Sequence, residues 1–455
     1  LALAAQEAID KQKLDTQLTS AFDLLIQLNE LTGLVYLYDN HTPTIGFLPQ
    51  EFLVLEQSEL KKFCKTQFNK YKNVQATLPI SDFLNFQSHS QSSMKTTFGG
   101  GYIGFFSYDY SANQFINMVS RNQPSFFLGL YSTFLKFQDD AWYFYSDENE
   151  AESIYQNVIN LINQSTNIQK TPFSLLEKCY PRWSKQQYLH AFNQVQEYIK
   201  AGDCYQINLT QEFIAKTEGS LLDRAQDLWA LTHAPYAAYL KIHDFELLSC
   251  SPELFVEFQT NRKIKTRPIK GTMPRFDDAE QDQQSKDQLS RSEKDQAENV
   301  MIVDLLRNDL SVYAETGSVE TTKLFEIESF NQVHHMVSEI TATLKKEVNP
   351  MQMLLSALPG GSITGAPKIR AMQIINELEG APRGAYCGSL GYFNFDGTGC
   401  WNILIRSIQK YQDQLSMWAG GGITVASDAE AEYQECFDKI SAMLDLLNTW
   451  QKSEN

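Results

Sequence analysis

Lys270, inside Thr266-Arg-Pro-Ile-Lys-Gly-Thr272, is the residue whose chemistry asks most of its surroundings. Arg267 reads as extended because a residue before proline is pushed out of the helical region, and Gly271 lets the backbone approach a ligand closely. Lys270 is thus expected where a strand breaks. Its amine is either a surface group in a turn or a nucleophile. A nucleophile needs a setting that lowers its pKa, a general acid, and something to hold an anionic substrate. Glu253, in Ser251-Pro-Glu253, is a carboxylate placed just after a strand break. Arg406, in Ile403-Leu-Ile-Arg406, reads as a cation inside a half-buried strand and requires a carboxylate from the protein or from a substrate. Glu432 and Glu435 stand three apart, hence on one helix face, and with Glu298 they offer hard oxygen ligands suited to magnesium. Gln206 is a buried amide that must find hydrogen-bond partners. Of the adjacent His334 and His335, at most one faces a site, because neighbours share no face in a helix or a strand.

The elements that must position these groups are legible in order. Leu14, Leu18, Phe22, Leu25 and Leu28 recur at helical spacing up to Gly33, predicting an amphipathic helix over residues 1 to about 32, its first dozen residues frayed. Residues 34–38, 126–137 and 142–145 read as β-structure. In Phe98 to Tyr108, glycines interleaved with aromatics suggest close backbone packing within a strand. Residues 148–179 turn toward Glu, Asn, Gln and Ser around an expected helix, and we place a linker there. Ser184 caps a helix that runs to Ala201 and stops at Gly202. Strands follow at 204–210, 237–240, 246–250 and 253–258, then an exposed helical excursion over 277–298 and a helix over 297–310. Gly360 and Gly365 have the spacing of a phosphate loop, but Ala366-Pro367 stands where Lys-Ser/Thr is required, which excludes it. The turn can still offer N–H groups to an anion. Residues 387–397, 401–408 and 414–419 read as three strands, and Glu432 and Glu435 fall on the helix that follows.

Length and composition bound the function. The 455 residues contain 43% hydrophobic and 20% charged residues, an ordinary globular profile. A net charge of −17 argues against nucleic-acid binding, so any anionic ligand must be held locally. No apolar run reaches the roughly 18 to 20 residues of a membrane span, and residues 1–9 lack the basic start of a signal peptide, which leaves the cytoplasm as the expected location. Seven scattered cysteines, with no Cys-x-x-Cys pair, indicate neither a disulfide framework nor a zinc site.

From about residue 180 to 445 the chain resembles the chorismate-utilising enzymes, the family of anthranilate, isochorismate, salicylate and aminodeoxychorismate synthases. The motifs that carry the resemblance are AGDCYQINLTQ, LSCSPELF, TRPIKGT, AENVMIVDLLRNDL, VHHMVS, PGGSITGAPKIRAM, AGGGI and EAEYQECFDK. The resemblance implies an α+β fold of two large, mostly antiparallel sheets packed as a sandwich with helices outside. It divides the chain into an extension (1–17), an N-terminal region (18–147), a linker (148–179), a catalytic region (180–445) and a tail (446–455). It also implies roles. Family members that make anthranilate, isochorismate or salicylate carry alanine at the position of Lys270, and the branch that makes 4-amino-4-deoxychorismate carries lysine. Lys270 would attack chorismate while Glu253 acts as general acid. Gln206 replaces the lysine base of water-using members, and His335 lies beside the ring. Arg406, Gly421 and Gly422 would hold the enolpyruvyl carboxylate, with Gly271, Thr272, Thr364 and Tyr392 as further substrate contacts. Mg²⁺ on Glu298, Glu432 and Glu435 would hold the ring carboxylate. The expected partners are chorismate, ammonia and a separate glutaminase subunit. The alternatives are an anthranilate-forming relative and a silent tryptophan-sensing or partner-binding subunit. One departure is Cys400-Trp401, where relatives have an Asp-Thr pair.

Overall fold

The computed structural model describes residues 10–75, 80–84, 86, 97–164, 171–329 and 333–452. Its described strands form one sheet of 13 and one of 12, with antiparallel ladders. The two sheets pack face to face through apolar residues of both, as where Phe105 of one stacks on Phe245 of the other at 5.4 Å between ring centres. Burying such faces is the main favourable term in folding a chain of this composition. The α+β sandwich expected from the resemblance is thus the observed architecture. Among the described residues no helix is long and apolar enough to cross a membrane.

Both sheets draw on both ends of the sequence. In the 13-stranded sheet Val35–Asp39 pairs with Tyr236–Ile242, and Gln206–Glu218 pairs with Gln414–Ile423. In the 12-stranded sheet Gly101–Phe106 lies between Phe126–Tyr131 and Ser389–Asn394. The glycines of this segment are required there. A Cβ on Gly104 would stand 2.3 Å from the carbonyl oxygen of Phe127.

One feature of the topology positions the chemistry. Phe245–Ser251 belongs to the larger sheet and the next strand, Leu254–Phe258, to the smaller one. Their partners do the same in reverse: Gly399–Asn402 lies in the smaller sheet and Ser407–Tyr411 in the larger. A two-stranded ribbon therefore passes from one sheet to the other at residues 252–253 and 403–406. The joint is tied by Ile403 N–H donating to the Glu253 carbonyl at 3.1 Å and by the Ser251 hydroxyl donating to the Ile403 carbonyl at 2.5 Å. Strands that switch sheets make the corners of such sandwiches.

Helices cover the outside. Ser184 and Gln187 form a reciprocal capping box at the start of Lys185–Ala201, and Gly202 ends it in the left-handed region at φ 82°. Glu293–Ser311 starts under a Ser292 cap and buries Asn299, Ile302, Val303, Leu306 and Leu310. Ala429–Asp438 packs on the Gln414–Ile423 strand.

Three expectations are corrected. The N-terminal helix runs only over Ala21–Gln27. Before it, Asp10–Lys13 is a strand paired with Ala141–Ser146, and Leu14 N–H continues the pairing onto the Trp142 carbonyl at 2.9 Å, so sheet pairing overrides the helical spacing at Leu14; residues 1–9 lie outside the described residues. The stretch 401–408 is not one strand, because it carries the passage between sheets. Arg406 therefore lies in the bend, with a left-handed φ of 48°, and not inside a strand.

Candidate functional site

A cleft of about 740 Å³ opens beside the ribbon joint and gathers groups from every layer. Lys270 enters it from a bulge. Ile269 pairs with Val337 but Thr272 pairs with His335, so the Ile269–Pro274 strand carries one more residue than its partner between these points. Bulges re-aim side chains in this way. Gly271, at φ 85°, completes the bulge, and a Cβ there would meet Asp295 and Leu289 at 2.9 Å. On its Cβ side the close approach at this glycine is to protein, and Gly271 also lines the cleft. Lys270 makes no hydrogen bond or ion pair with a described residue; its charge acts on the carboxyls of Glu253, Glu298 and Glu435.

Glu253 and Arg406 come from the two arms of the joint and line the same cleft. Burial pushes the Glu253 carboxyl up to about 7, against the pull of Lys270, the Ile269 backbone N–H, Lys439 and Arg406. A carboxyl tuned there shares its proton with solvent near neutrality, the range that general acid–base chemistry uses. Burial also lowers the Arg406 pKa from its ordinary value, with Glu253 opposing, and its guanidinium makes no ion pair with a described residue. His335 faces the cleft, with Nδ1 2.8 Å from the Thr272 hydroxyl. Burial and Arg406 push it down to about 4, so it is neutral at pH 7. Strand alternation turns His334 the other way, onto Asp282 at 3.0 Å and Ser329 at 2.8 Å.

The acidic wall is built from two helices. Glu298 projects from Glu293–Ser311, and Glu432 and Glu435 project from Ala429–Asp438; all three line the cleft. Among the described residues no three acidic, histidine or cysteine side chains are gathered tightly enough to hold a metal ion as they stand. The donors nevertheless fit a hard cation by type. One Glu432 carboxylate oxygen is buried with no hydrogen-bond partner, and a Cβ on Gly421 would come within 3.0 Å of both Glu432 and Glu435. Burial raises the pKa of Glu298 and of Glu432. In Glu435 burial is outweighed by Lys439, paired at 2.7 Å, and the carboxyl lies below its ordinary range.

The remaining expected residues divide. Thr272 and Gly422 line the cleft. Gln206 stands directly behind Gly422, where a Cβ would fall 2.1 Å from its amide nitrogen, and its amide oxygen is buried without a partner. Thr364 is buried and turns its hydroxyl back to the Gly360 carbonyl at 2.9 Å, while its own carbonyl accepts from Asn208 N–H. Tyr392 is a correction: it lies in the smaller sheet, donates to Asp39 at 3.0 Å and borders a separate 260 Å³ cavity with Cys400 and Asn402. It is not among the residues that line the cleft of Lys270. Trp401 is fully buried against Phe393 and Phe106.

Several cleft residues were not anticipated. Lys294 and Lys439 flank the carboxylates, Asn208 lies in the wall, and Tyr386 stacks on Trp418 at 5.9 Å. The i,i+4 spacing of Lys294 to Glu298 and of Glu435 to Lys439 was the available signal for the two cations.

A family model described as chorismate binding enzyme matches residues 38–445. Aminodeoxychorismate synthase component 1 of Salmonella typhimurium is 48% identical over 275 residues, 60% of each chain. That of Klebsiella aerogenes is 40% identical over 360 residues, 77% of this chain and 78% of that one. The match thus spans less than two thirds of the Salmonella protein. Anthranilate synthase component I from Streptococcus pneumoniae superposes with a TM-score of 0.75 at 28% identity, covering 89% of this chain and 92% of that one.

Proposed function

The chain belongs to the chorismate binding enzymes, and on that premise we propose that it is the synthase subunit of an aminodeoxychorismate synthase, converting chorismate and ammonia to 4-amino-4-deoxychorismate for 4-aminobenzoate and folate synthesis. The observation that carries this reading is the Lys270 amine, without a hydrogen-bond or ion-pair partner among the described residues, in the same cleft as a buried carboxyl that titrates near 7. Ammonia comes from a separate glutaminase subunit, and the expected location is the cytoplasm.

The residues divide the work as follows. Arg406 and the backbone near Gly422 hold the enolpyruvyl carboxylate, which supplies the guanidinium with its counter-charge. A magnesium ion held by Glu298, Glu432 and Glu435 would neutralise the ring carboxylate. The Lys270 amine attacks C2, the two ring double bonds shift, and the C4–O bond breaks as Glu253 delivers its proton, so that water leaves. Ammonia adds at C4, the double bonds shift back, and the bond to Lys270 breaks to return the amine. The proton released from the new C4 nitrogen restores Glu253. Neutral His335 lies beside the ring with Thr272 fixing its tilt. Gln206 presents an amide where a base would activate water, and ammonia needs no such activation.

The test is to incubate the purified chain with chorismate, Mg²⁺ and ammonium at mildly alkaline pH and to identify the product by mass spectrometry after adding an aminodeoxychorismate lyase. We expect 4-aminobenzoate, and a fall of about 10²-fold or more for Lys270→Ala. Anthranilate as product would favour the rival synthase, and undiminished turnover by the alanine variant would remove the covalent step.

A further inference from the structure

Lys294 occupies a position that catalysis does not explain. Its ammonium lies 3.7 Å from Glu432 and 4.0 Å from Glu298, and so links two helices that are far apart in sequence. Glu432 is buried and Glu298 half-buried, at 3% and 15% side-chain exposure, whereas the lysine is 61% exposed. We propose that Lys294 is a displaceable counter-ion: it ties the Glu293–Ser311 helix to the Ala429–Asp438 helix in the metal-free protein and swings out to water when a divalent cation enters between the carboxylates. This rests on the reading of Glu298, Glu432 and Glu435 as metal ligands.

Two acidic helix faces brought together at low dielectric repel one another. The Glu432 side chain is 3% exposed, with Oε1 accepting from the Ser427 hydroxyl at 2.7 Å and Oε2 without a hydrogen-bond partner among the described residues, so that repulsion is costly and a mobile cation relieves it. The second cation of the wall cannot serve. Lys439 is paired with Glu435 at 2.7 Å and also donates to the Gly420 carbonyl at 2.8 Å, so it is fixed to the strand beneath. Lys294 has no such anchor, and its long contacts to both carboxylates are easily given up, because an exposed ammonium regains its hydration on leaving. A dication and an ammonium cannot share this space, so metal affinity must include the loss of the lysine's contacts.

The experiment is calorimetric titration of Mg²⁺ into the full chain without substrate, for the wild type, Lys294→Met and Lys294→Arg, with melting temperatures measured with and without Mg²⁺. Lys294→Met is expected to bind Mg²⁺ about three- to tenfold more tightly, the size of a lost exposed ion pair. It should also melt below the wild type without metal and level with it at saturation, while Lys294→Arg stays near the wild type. Equal or weaker Mg²⁺ binding by the methionine variant, with the wild type binding normally, overturns the role of Lys294 alone. Absence of heat and of any melting shift in all three proteins overturns the ligand assignment, and the proposal with it.

Discussion

Replacing Glu253 by glutamine is expected to silence the protein and, above neutral pH, to stabilise it. The carboxyl is 7% exposed at the ribbon joint, and burial raises its pKa from 4.5 to about 7. The folded chain therefore keeps this proton to higher pH than the unfolded chain does. By linkage, stability is lost as pH rises from about 4.5 through about 7 and is level beyond. A gap of about 2.5 pH units at 1.36 kcal/mol each amounts to about 3 kcal/mol of burial cost for the ionised form at pH 8. Glutamine has nearly the same shape and no charge, so it escapes this cost at pH 8 and gains nothing near pH 4.5, where the carboxyl is already neutral. Urea unfolding of both proteins at pH 5 and pH 8 gives the difference of differences. A variant no more stable relative to wild type at pH 8 than at pH 5 would refute the reasoning. Turnover should fall about 10²- to 10⁴-fold, because an amide has no proton to deliver to the leaving oxygen.

Arg383 is 1% exposed and binds Glu379 through two contacts of 2.7 and 2.8 Å, and it also donates to the Asn208 and Ile363 carbonyls. Arg383→Met leaves a buried carboxylate unpaired and should cost about 3–5 kcal/mol in urea unfolding, with partial recovery when Glu379→Gln is added. Gly421→Ala places a methyl group 3.0 Å from Glu432 and Glu435 and should weaken Mg²⁺ binding about tenfold by calorimetry, with the far-ultraviolet dichroism unchanged.

Local signals in the sequence were dependable where the structure they encode is local. Ser184 and Gly202 marked both ends of a helix that the structure reproduces, and the spacing of Glu432 and Glu435 set them on one face. The strand break at Pro268 was legible, but the bulge behind it was not, because it is defined only against Val337 and His335. The same limit explains Arg406. Trp401 to Ile408 is apolar enough to read as one strand, and only the pairing of its two halves with Leu254–Phe258 and Phe245–Ser251 shows that it crosses between sheets. Tyr392 and Gly421 are legible as strand residues, but which sheet face meets the cleft depends on partners hundreds of residues away. Leu14 has helical spacing but is drawn off by a strand pairing that no short window contains. The buried Glu379–Arg383 pair is local in spacing, yet its remaining partners, the carbonyls of Asn208 and Ile363, are not.

The pairing of Gln206–Glu218 with Gln414–Ile423 also sets a clock on biosynthesis. At about 5–20 residues per second, the earlier strand leaves the ribosome roughly 10–40 s before its partner exists. The wait of Gly101–Phe106 for Ser389–Asn394 is longer. During that interval strands destined for the middle of a sheet have open edges, the condition under which chains pair with one another instead of with themselves. The cleft inherits the delay: Glu253 and Lys270 are made well before Arg406, Glu432 and Glu435. Nascent chains therefore carry Lys270 for many seconds without the residues that line the opposite wall of its cleft.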